Sequence, residues 1–368
     1  AHGLGPLWGS VVTRYGHGLA HGEQAPGIEI LEAGHPVPDD ASVAAGSRLL
    51  ELARDCRPAD RCIVLLSGGA SALLVQPVPG VTLADKQNVT RSLLASGASI
   101  AEINTVRRKL STVKGGGLAR QVGAGEILLF AISDVPGNAI ADIGSGPVSP
   151  DPGTLAEARA IVTRYGIVLA PAVARVLEEP AHAGSARSAA RPDAFPPVTA
   201  RIVANSATAL SAVARAAEAE GWSPYVIPDV RGPARDVARD DAALIRNLRA
   251  RRQRAVVISG GETTVTVRHA DGRGGRNGEY LLALALALGK DAGVDALAAD
   301  TDGIDGTGDN AGALLTPDSL MRAAEGRQDA AAELAAQRSY DFFAGLDDLV
   351  ITGPTRTNVN DLRIVLVP

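Results

Sequence analysis

Cysteine, methionine and aromatic residues are scarce in this sequence: 368 residues hold two Cys, one Met and 3% Phe, Trp and Tyr. Cys56 and Cys62 have no His-rich company, which excludes a disulfide framework and a thiolate zinc centre and points to buried thiols in a reducing compartment. No apolar run is long enough to cross a bilayer and no secretory signal opens the chain, so the cytoplasm is the expected location and no membrane partner is expected. A net charge of −5, with no basic block and no aromatic-interleaved patch, argues against nucleic acid as a partner. Three signature loops are missing as well. No G-x-G-x-x-G follows a strand, no glycine-rich loop ends in Gly-Lys-Ser/Thr, and the one candidate nucleophile elbow lacks its final Gly. Lysine is rare too: only Lys86, Lys109, Lys114 and Lys290 among 36 basic residues. Two of the four lie within six positions of each other, beside Arg107 and Arg108, and read either as a solvated face or as a polyanion site.

What is present is enough for a sizeable core: 46% hydrophobic and 21% charged residues, in a length that suits two domains. W-G-S-V-V-T-R and I-E-I-L-E-A-G read as strands, Ala41 to Ala53 as a helix, and R-C-I-V-L-L as a short buried strand. That strand runs into Ser67, Gly68, Gly69, Ala70 and Ser71, where small residues let backbone N–H groups approach an anionic ligand. Leu83 to Leu94, Ile100 to Leu110, Leu155 to Tyr165 and Ala172 to Leu177 have helical spacing. The strand I-L-L-F-A-I ends at S-D-V-P-G-N, which puts Asp134 at a strand end, where a carboxylate can hold Mg²⁺ or take a proton. Pro180 to Pro197 has linker composition and sets the expected boundary between domains at 1–190 and 198–368. Beyond it, A-R-I-V-A, Ser206 to Glu220, W-S-P-Y-V-I, Ala234 to Arg251 and R-A-V-V-I-S alternate strand and helix, the arithmetic of a parallel sheet flanked by helices.

The segment from Gly260 to Ala285 organises the second half. Alternation through Thr263, Val265 and Val267 predicts a strand; Gly272, Gly274 and Gly275 make a loop; Arg276, Asn277 and Glu279 open an apolar helix. The N-terminus of such a helix is a seat for an anion, and Arg276 adds a planar fork for phosphate or carboxylate. Further on, Asp300, Asp302, Asp305 and Asp309 crowd one glycine-rich loop in an order that does not fit a calcium loop, leaving a catalytic or magnesium-linked acid. Thr352, Gly353, Thr355, Thr357 and Asn358 offer hydroxyl and amide contacts in the last turn.

In chain order, S-G-G-A-S-A-L-L, R-R-K-L-S-x-x-K-G-G-x-L-A, S-D-V-P-G-N with S-G-P-V-S-P-D, G-G-E-T-T-V-T-V with G-G-R-N-x-E, T-D-G-I-D-G and T-G-P-T-R-T-N-V-N-D-L resemble the bacterial glycerate 2-kinase family, also called MOFRL or TtuD-like, from Trp8 to Leu366. The resemblance implies an α/β fold of two domains, a Rossmann-like one and a MOFRL-type one, with the active-site cleft between them. It implies ATP-dependent phosphorylation of D-glycerate at its 2-hydroxyl to give 2-phosphoglycerate, with Mg²⁺; a homodimer is left open. Carried over motif by motif, Arg276, Asp134 and Asp302 match cleft positions, with Asp134 or Asp302 toward Mg²⁺. Ser67 to Ser71 match a ligand loop. The roles this leaves open are a hold on the glycerate carboxylate or the moving phosphoryl for Arg276, helped by the 274–276 backbone, substrate or phosphate binding for Gly274, Gly275 and Asn277, and attendance on nucleotide phosphates for Lys109 and Lys114. Relatives carry, ahead of the V-V-T-R-Y-G-H strand, a segment with a Gly-Lys-Ala stretch whose Lys points into the cleft, whereas the sequence begins at Ala1, almost on that strand. Two other readings are an NAD(P)H-dependent hydroxypyruvate reductase, the older description of such relatives, and a non-catalytic ligand-binding relative.

Overall fold

The computed structural model describes residues 6–178, 196–268, 272–289 and 293–368. The chain divides into two compact units, Ala1–Val203 and Ala204–Pro368. The expected linker from Pro180 lies outside the described residues, except for its last two positions.

In the first unit β1 (Gly9–Arg14) and β2 (Ile28–Ala33) pair in parallel, from Gly9 opposite Ile28 to Arg14 opposite Ala33. A separate sheet runs in the order β3 (Arg61–Leu66), β4 (Glu126–Ser133) and β5 (Val198–Asn205). β4 alternates strictly, and Ile127, Leu129 and Ala131 pack with Leu50, Ala53, Leu118 and Ile143. β5 is the strand that the alternation assigned to the second domain; it lies beside β4, and the Pro197 carbonyl accepts from the Ile127 amide at 2.9 Å. Three helices start on a Ser/Thr-x-x-Asp/Glu box: Leu83–Ala95 on Thr82 and Asp85, Ile100–Lys109 on Ser99 and Glu102, Leu155–Arg164 on Thr154 and Glu157. They pack through Val89, Leu93, Ile103, Val106 and Val162, which delivers the basic end of Ile100–Lys109 to a fixed place.

The second unit has one six-stranded sheet: β6 (Ser223–Pro233), β7 (Ala255–Thr264), β8 (Asp295–Asp300), β9 (Gly312–Leu315), β10 (Leu349–Val350) and β11 (Asp361–Val367), in the order β10-β9-β8-β11-β7-β6. The helix-flanked α/β layering follows the sequence reading. In detail this sheet is mixed: β6 and β7 are parallel, while every other neighbouring pair is antiparallel. The reason lies in the connections. β6 reaches β7 through the helix Ala234–Ala250, a crossover that keeps both strands in one direction, whereas β8 and β9 are joined by a loop that turns the chain back. The strand expected through Val267 ends at Thr264 and is continuous with R-A-V-V-I-S.

Both faces of the sheet are covered. Helix Ser206–Ala219 places Leu210 against Val256 and Ile258, and the opposite face holds Val257, Val365 and the helix Arg276–Leu288. Nine consecutive residues of that helix, Asn277 to Ala285, are buried, so it is enclosed on all sides. Leu281, Leu282 and Leu284 each contribute about 1.5–3 kcal/mol by leaving water. A helix anchored this firmly fixes the position of its first residue, Arg276. Among the described residues no helix is long and apolar enough to cross a membrane.

Candidate functional site

The register of three adjacent strands gathers acidic residues at one end of the strands of the six-stranded sheet. β11 is antiparallel to both neighbours, so its first residue, Asp361, lies opposite Gly261 near the end of β7 and opposite Asp300 at the end of β8. Arg276 starts its helix at the same end. Its guanidinium donates from Nε to Asp361 Oδ1 at 2.8 Å, from Nη1 to Glu262 Oε1 at 3.0 Å and from Nη2 to Asp300 Oδ2 at 2.6 Å. The expected open fork is therefore already held by three carboxylates. Burial disfavours the charged guanidinium, but Asp361 and Asp300 outweigh it and push its pKa up. Two positions on, Arg363 is fully buried; it donates to Asp361 Oδ2 at 3.2 Å and to Ser259 Oγ at 3.1 Å, and lies 5.4 Å over the Tyr280 ring.

The helix N-terminus that was expected to seat a ligand also has an occupant. Asp305 Oδ1 accepts from the Asn277 amide at 3.0 Å and its Oδ2 from the Gly278 amide at 2.9 Å, so a resident carboxylate takes the place foreseen for a substrate anion. Gly275 makes this possible, since a Cβ there would stand 2.2 Å from Asp305 Cγ. A Cβ on Gly274 would meet Ser339 Oγ at 2.4 Å. These glycines serve the approach of Asp305 and Ser339. Asn277, fully buried, donates from Nδ2 to Asp361 Oδ1 at 2.9 Å and to Asp305 Oδ1 at 3.3 Å, tying the two acids together.

Asp302 belongs to the same cluster. Its backbone N–H donates to Asp300 Oδ1 at 3.1 Å, and its own Oδ1 accepts from the Ile304 amide at 2.8 Å. Burial, and next the charge of Asp302, push Asp300 up to about 7, against the pull of Arg276. Burial pushes Asp305 up to about 6 despite the two backbone amides. A carboxyl whose folded pKa exceeds its ordinary value holds a proton that the unfolded chain releases, so its contribution is fully present below about pH 4 and is lost as the pH rises through the folded value. The stability difference between Asp300→Asn and the parent should therefore move in the variant's favour by roughly 2–3 kcal/mol between pH 5 and pH 8. Thermal melts of both proteins across that range check it; a difference independent of pH would refute the raised value.

In the first unit the chain leaves β3 at Leu66, and Ser67 is exposed. Gly69 takes a left-handed φ of +79° before the four-residue helix Ala70–Leu73, with its Cβ position 3.1 Å from His35 Nε2. Lys114 reaches this loop: Nζ donates to Ser71 O at 2.8 Å, Ser71 Oγ at 3.3 Å and Leu74 O at 3.2 Å. Lys109 does not. Its side chain is 1% exposed and donates to Asp151 Oδ2 at 2.7 Å and Gly153 O at 2.5 Å, which makes it an internal tie and not a free cation for phosphates. Asp134 is half-buried directly after β4, at the strand end where the sequence placed it.

The sequence reading singled out Arg276, Asp302 and Asn277 and named Asp300 among the acids of one loop, but missed Asp361 and Glu262. The signal existed in the carboxylates that close N-V-N-D-L and open G-G-E-T-T, but only strand register shows them to be neighbours. Among the described residues no group of three or more His, Cys, Asp or Glu is placed to hold a metal ion by itself.

Two family models match the chain: a domain of unknown function, DUF4147, over residues 2–178, and the MOFRL family over residues 255–361. An Agrobacterium vitis protein, named provisionally a hydroxypyruvate reductase, is 45% identical over 98% of this chain and 81% of its own length. The D-glycerate 2-kinase of Thermotoga maritima is 36% identical over 98% of this chain and 84% of the relative. The crystal structure of glycerate kinase from the same organism superposes with a TM-score of 0.85 at 36% identity, covering 98% of this chain and 85% of the other.

Proposed function

We propose a phosphoryl-transfer activity from one premise: the chain belongs to the glycerate 2-kinase family, with a MOFRL domain in its C-terminal half. The reaction moves the γ-phosphoryl group of ATP onto the 2-hydroxyl of D-glycerate. A bond forms between the C2 oxygen and the γ-phosphorus, the bridge to the β-phosphate breaks, and ADP and 2-phosphoglycerate leave. The observation that carries this reading is the Arg276 cluster, in which a guanidinium, a near-neutral acid (Asp300) and Asp302 meet at the ends of adjacent strands.

In this reading Asp302 orients the glycerate 2-hydroxyl and takes its proton, and Asp300, poised near neutrality, can share it. Arg276 holds the acids in place and offers its remaining N–H groups to developing negative charge. Ser67 to Ser71, with Lys114, hold an anionic group of donor or acceptor, and Asp134 is a second candidate for proton or metal work. Magnesium carried by ATP needs only one or two carboxylates from the protein; burial raises Asp300 first and the charge of Asp302 next, and a cation would relieve that second contribution, so these residues fit it. Bound there, the ion would neutralise phosphate oxygens.

A coupled ATPase assay with D-glycerate, with the product read by phosphorus NMR, tests the reaction and the position of the phosphate. Asp302→Asn is expected to lower kcat by on the order of 10²–10⁴; an Asp302→Asn protein that turns over at the parental rate removes it from the chemistry. The Agrobacterium relative's name favours a second reading, reduction of hydroxypyruvate. That reading needs a dinucleotide site, and the sequence has no fingerprint for one. Oxidation of NADH with hydroxypyruvate in the absence of ATP would support it.

A further inference from the structure

The basic run Arg107 to Lys114 separates into two sets. Asp142 and Asp151 are spent on one: Arg108 pairs with Asp142, and Lys109 with Asp151 at 2.7 Å. Among the described residues no ion pair engages the other set, Arg107 and Lys114, or the neighbouring Lys86. These three are held instead by neutral oxygens. Lys86 donates to Leu110 O at 2.8 Å, Arg107 to Ser71 O at 3.2 Å and Asn104 Oδ1 at 3.3 Å, and Lys114 to Ser71 and Leu74. Arg107 and Lys114 converge on Ser71, whose hydroxyl lies 2.8 Å from that of Ser145, while Lys86, from the helix Leu83–Ala95, bonds at Leu110 and adds its charge beside theirs. Lys86 and Lys114 are 7% and 2% exposed, a burial that lysine rarely accepts without a counter-charge. Ser71 and Arg107 are only half-buried, so an ion has a way in from solvent.

We propose that Lys86, Arg107 and Lys114, with the hydroxyls of Ser71 and Ser145, form a binding site for a phosphate- or carboxylate-type oxyanion whose charge completes the cluster. The proposal rests on the kinase reading only for the identity of the natural ligand, a phosphorylated nucleotide or the glycerate carboxylate. The charges acting on Lys114 are Arg107, Lys86 and Arg108, and the one acting on Lys86 is Arg107; every one is positive. Burial first, and these cations next, push Lys86 down to about 7 and Lys114 well below its ordinary value. An arriving anion favours the charged amines, so it should bring protons with it.

Calorimetric titration of the whole chain with sulfate, which does not itself titrate between pH 6 and pH 8, in buffers of different ionisation heat, reads both affinity and proton uptake. Binding should take up protons at pH 8 and fewer at pH 6. Lys114→Met and Arg107→Gln should each weaken it at least tenfold. Lys86→Met should weaken it too while raising the melting temperature, because a desolvated charge is removed; a purely structural role would change melting and leave affinity alone. Competition by ADP assigns the site to the donor, and competition by D-glycerate assigns it to the acceptor; either supports an oxyanion site. Absence of sulfate and phosphate binding at millimolar concentration, or equal affinity in all three variants, overturns the proposal. Because no turnover is involved, a chain that binds sulfate but does not phosphorylate glycerate keeps this site and loses the kinase.

Discussion

Replacing Arg276 by Ala should cost about 3 kcal/mol of stability and also remove most of the activity. The structural loss comes first. The guanidinium bridges Asp361, Asp300 and Glu262; Glu262 can turn to water, but Asp361 is fully buried and Asp300 is 8% exposed, so removing the cation leaves Asp300 without its ion pair and Asp361 with Arg363 alone. The Arg276 side chain keeps 25% exposure, which moderates the penalty below that of an enclosed pair. For a unit of this size the melting temperature should fall by roughly 6–12 °C. Glycerate phosphorylation, measured at a temperature where circular dichroism shows the variant folded, should fall by on the order of 10²–10³. Arg276→Lys restores one charge but cannot span three carboxylates, and should lie between. A parental melting temperature in Arg276→Ala would show that the bridge contributes nothing; parental activity in the folded variant would take Arg276 out of catalysis.

Lys109→Met should destabilise the protein by about 3–5 kcal/mol while leaving the KM for nucleotide where it was. Lys109 and Asp151 are 1% and 8% exposed and 2.7 Å apart, and removing Lys109 leaves Asp151 with only the more distant Arg108 guanidinium, at 3.8 Å, as a counter-charge. Asp151 also accepts from the Gly153 amide at 3.0 Å, just before the helix Leu155–Arg164 begins, so the damage should reach the start of that helix. A second substitution, Asp151→Leu, should recover much of the loss, because an apolar pair can replace a buried ionic one at little cost. Melting temperatures of the single and double variants, with nucleotide KM, decide the matter. A raised KM with unchanged melting would return Lys109 to the ligand.

These two residues show what the sequence could and could not disclose. Helices in the first unit were legible because Thr82, Ser99 and Thr154 each begin a capping box ahead of periodic apolar residues. Arg276 and Asp302 were legible because glycine-rich turns followed apparent strands. Lys109 was misread because the spacing of cations along a helix gives no sign of an acid more than forty positions later. Likewise Asp305 filling the amides of Asn277 and Gly278 depends on a loop folding back, and the weight of Asp361 depends on β11 running antiparallel. Local pattern carries propensity and capping; it does not carry partners brought together by topology.

The place of β11 has a consequence for biosynthesis. It is translated after the other five strands of its sheet, yet it lies in the middle, between β8 and β7. Until Asp361–Val367 emerges, both of those strands present open edges, the surfaces most prone to stray pairing between chains. The same segment delivers Asp361 to Arg276, so a nascent polypeptide halted just upstream of Asp361 is incomplete in its chemistry as well as its packing, and should be a ready target for chaperones and proteases.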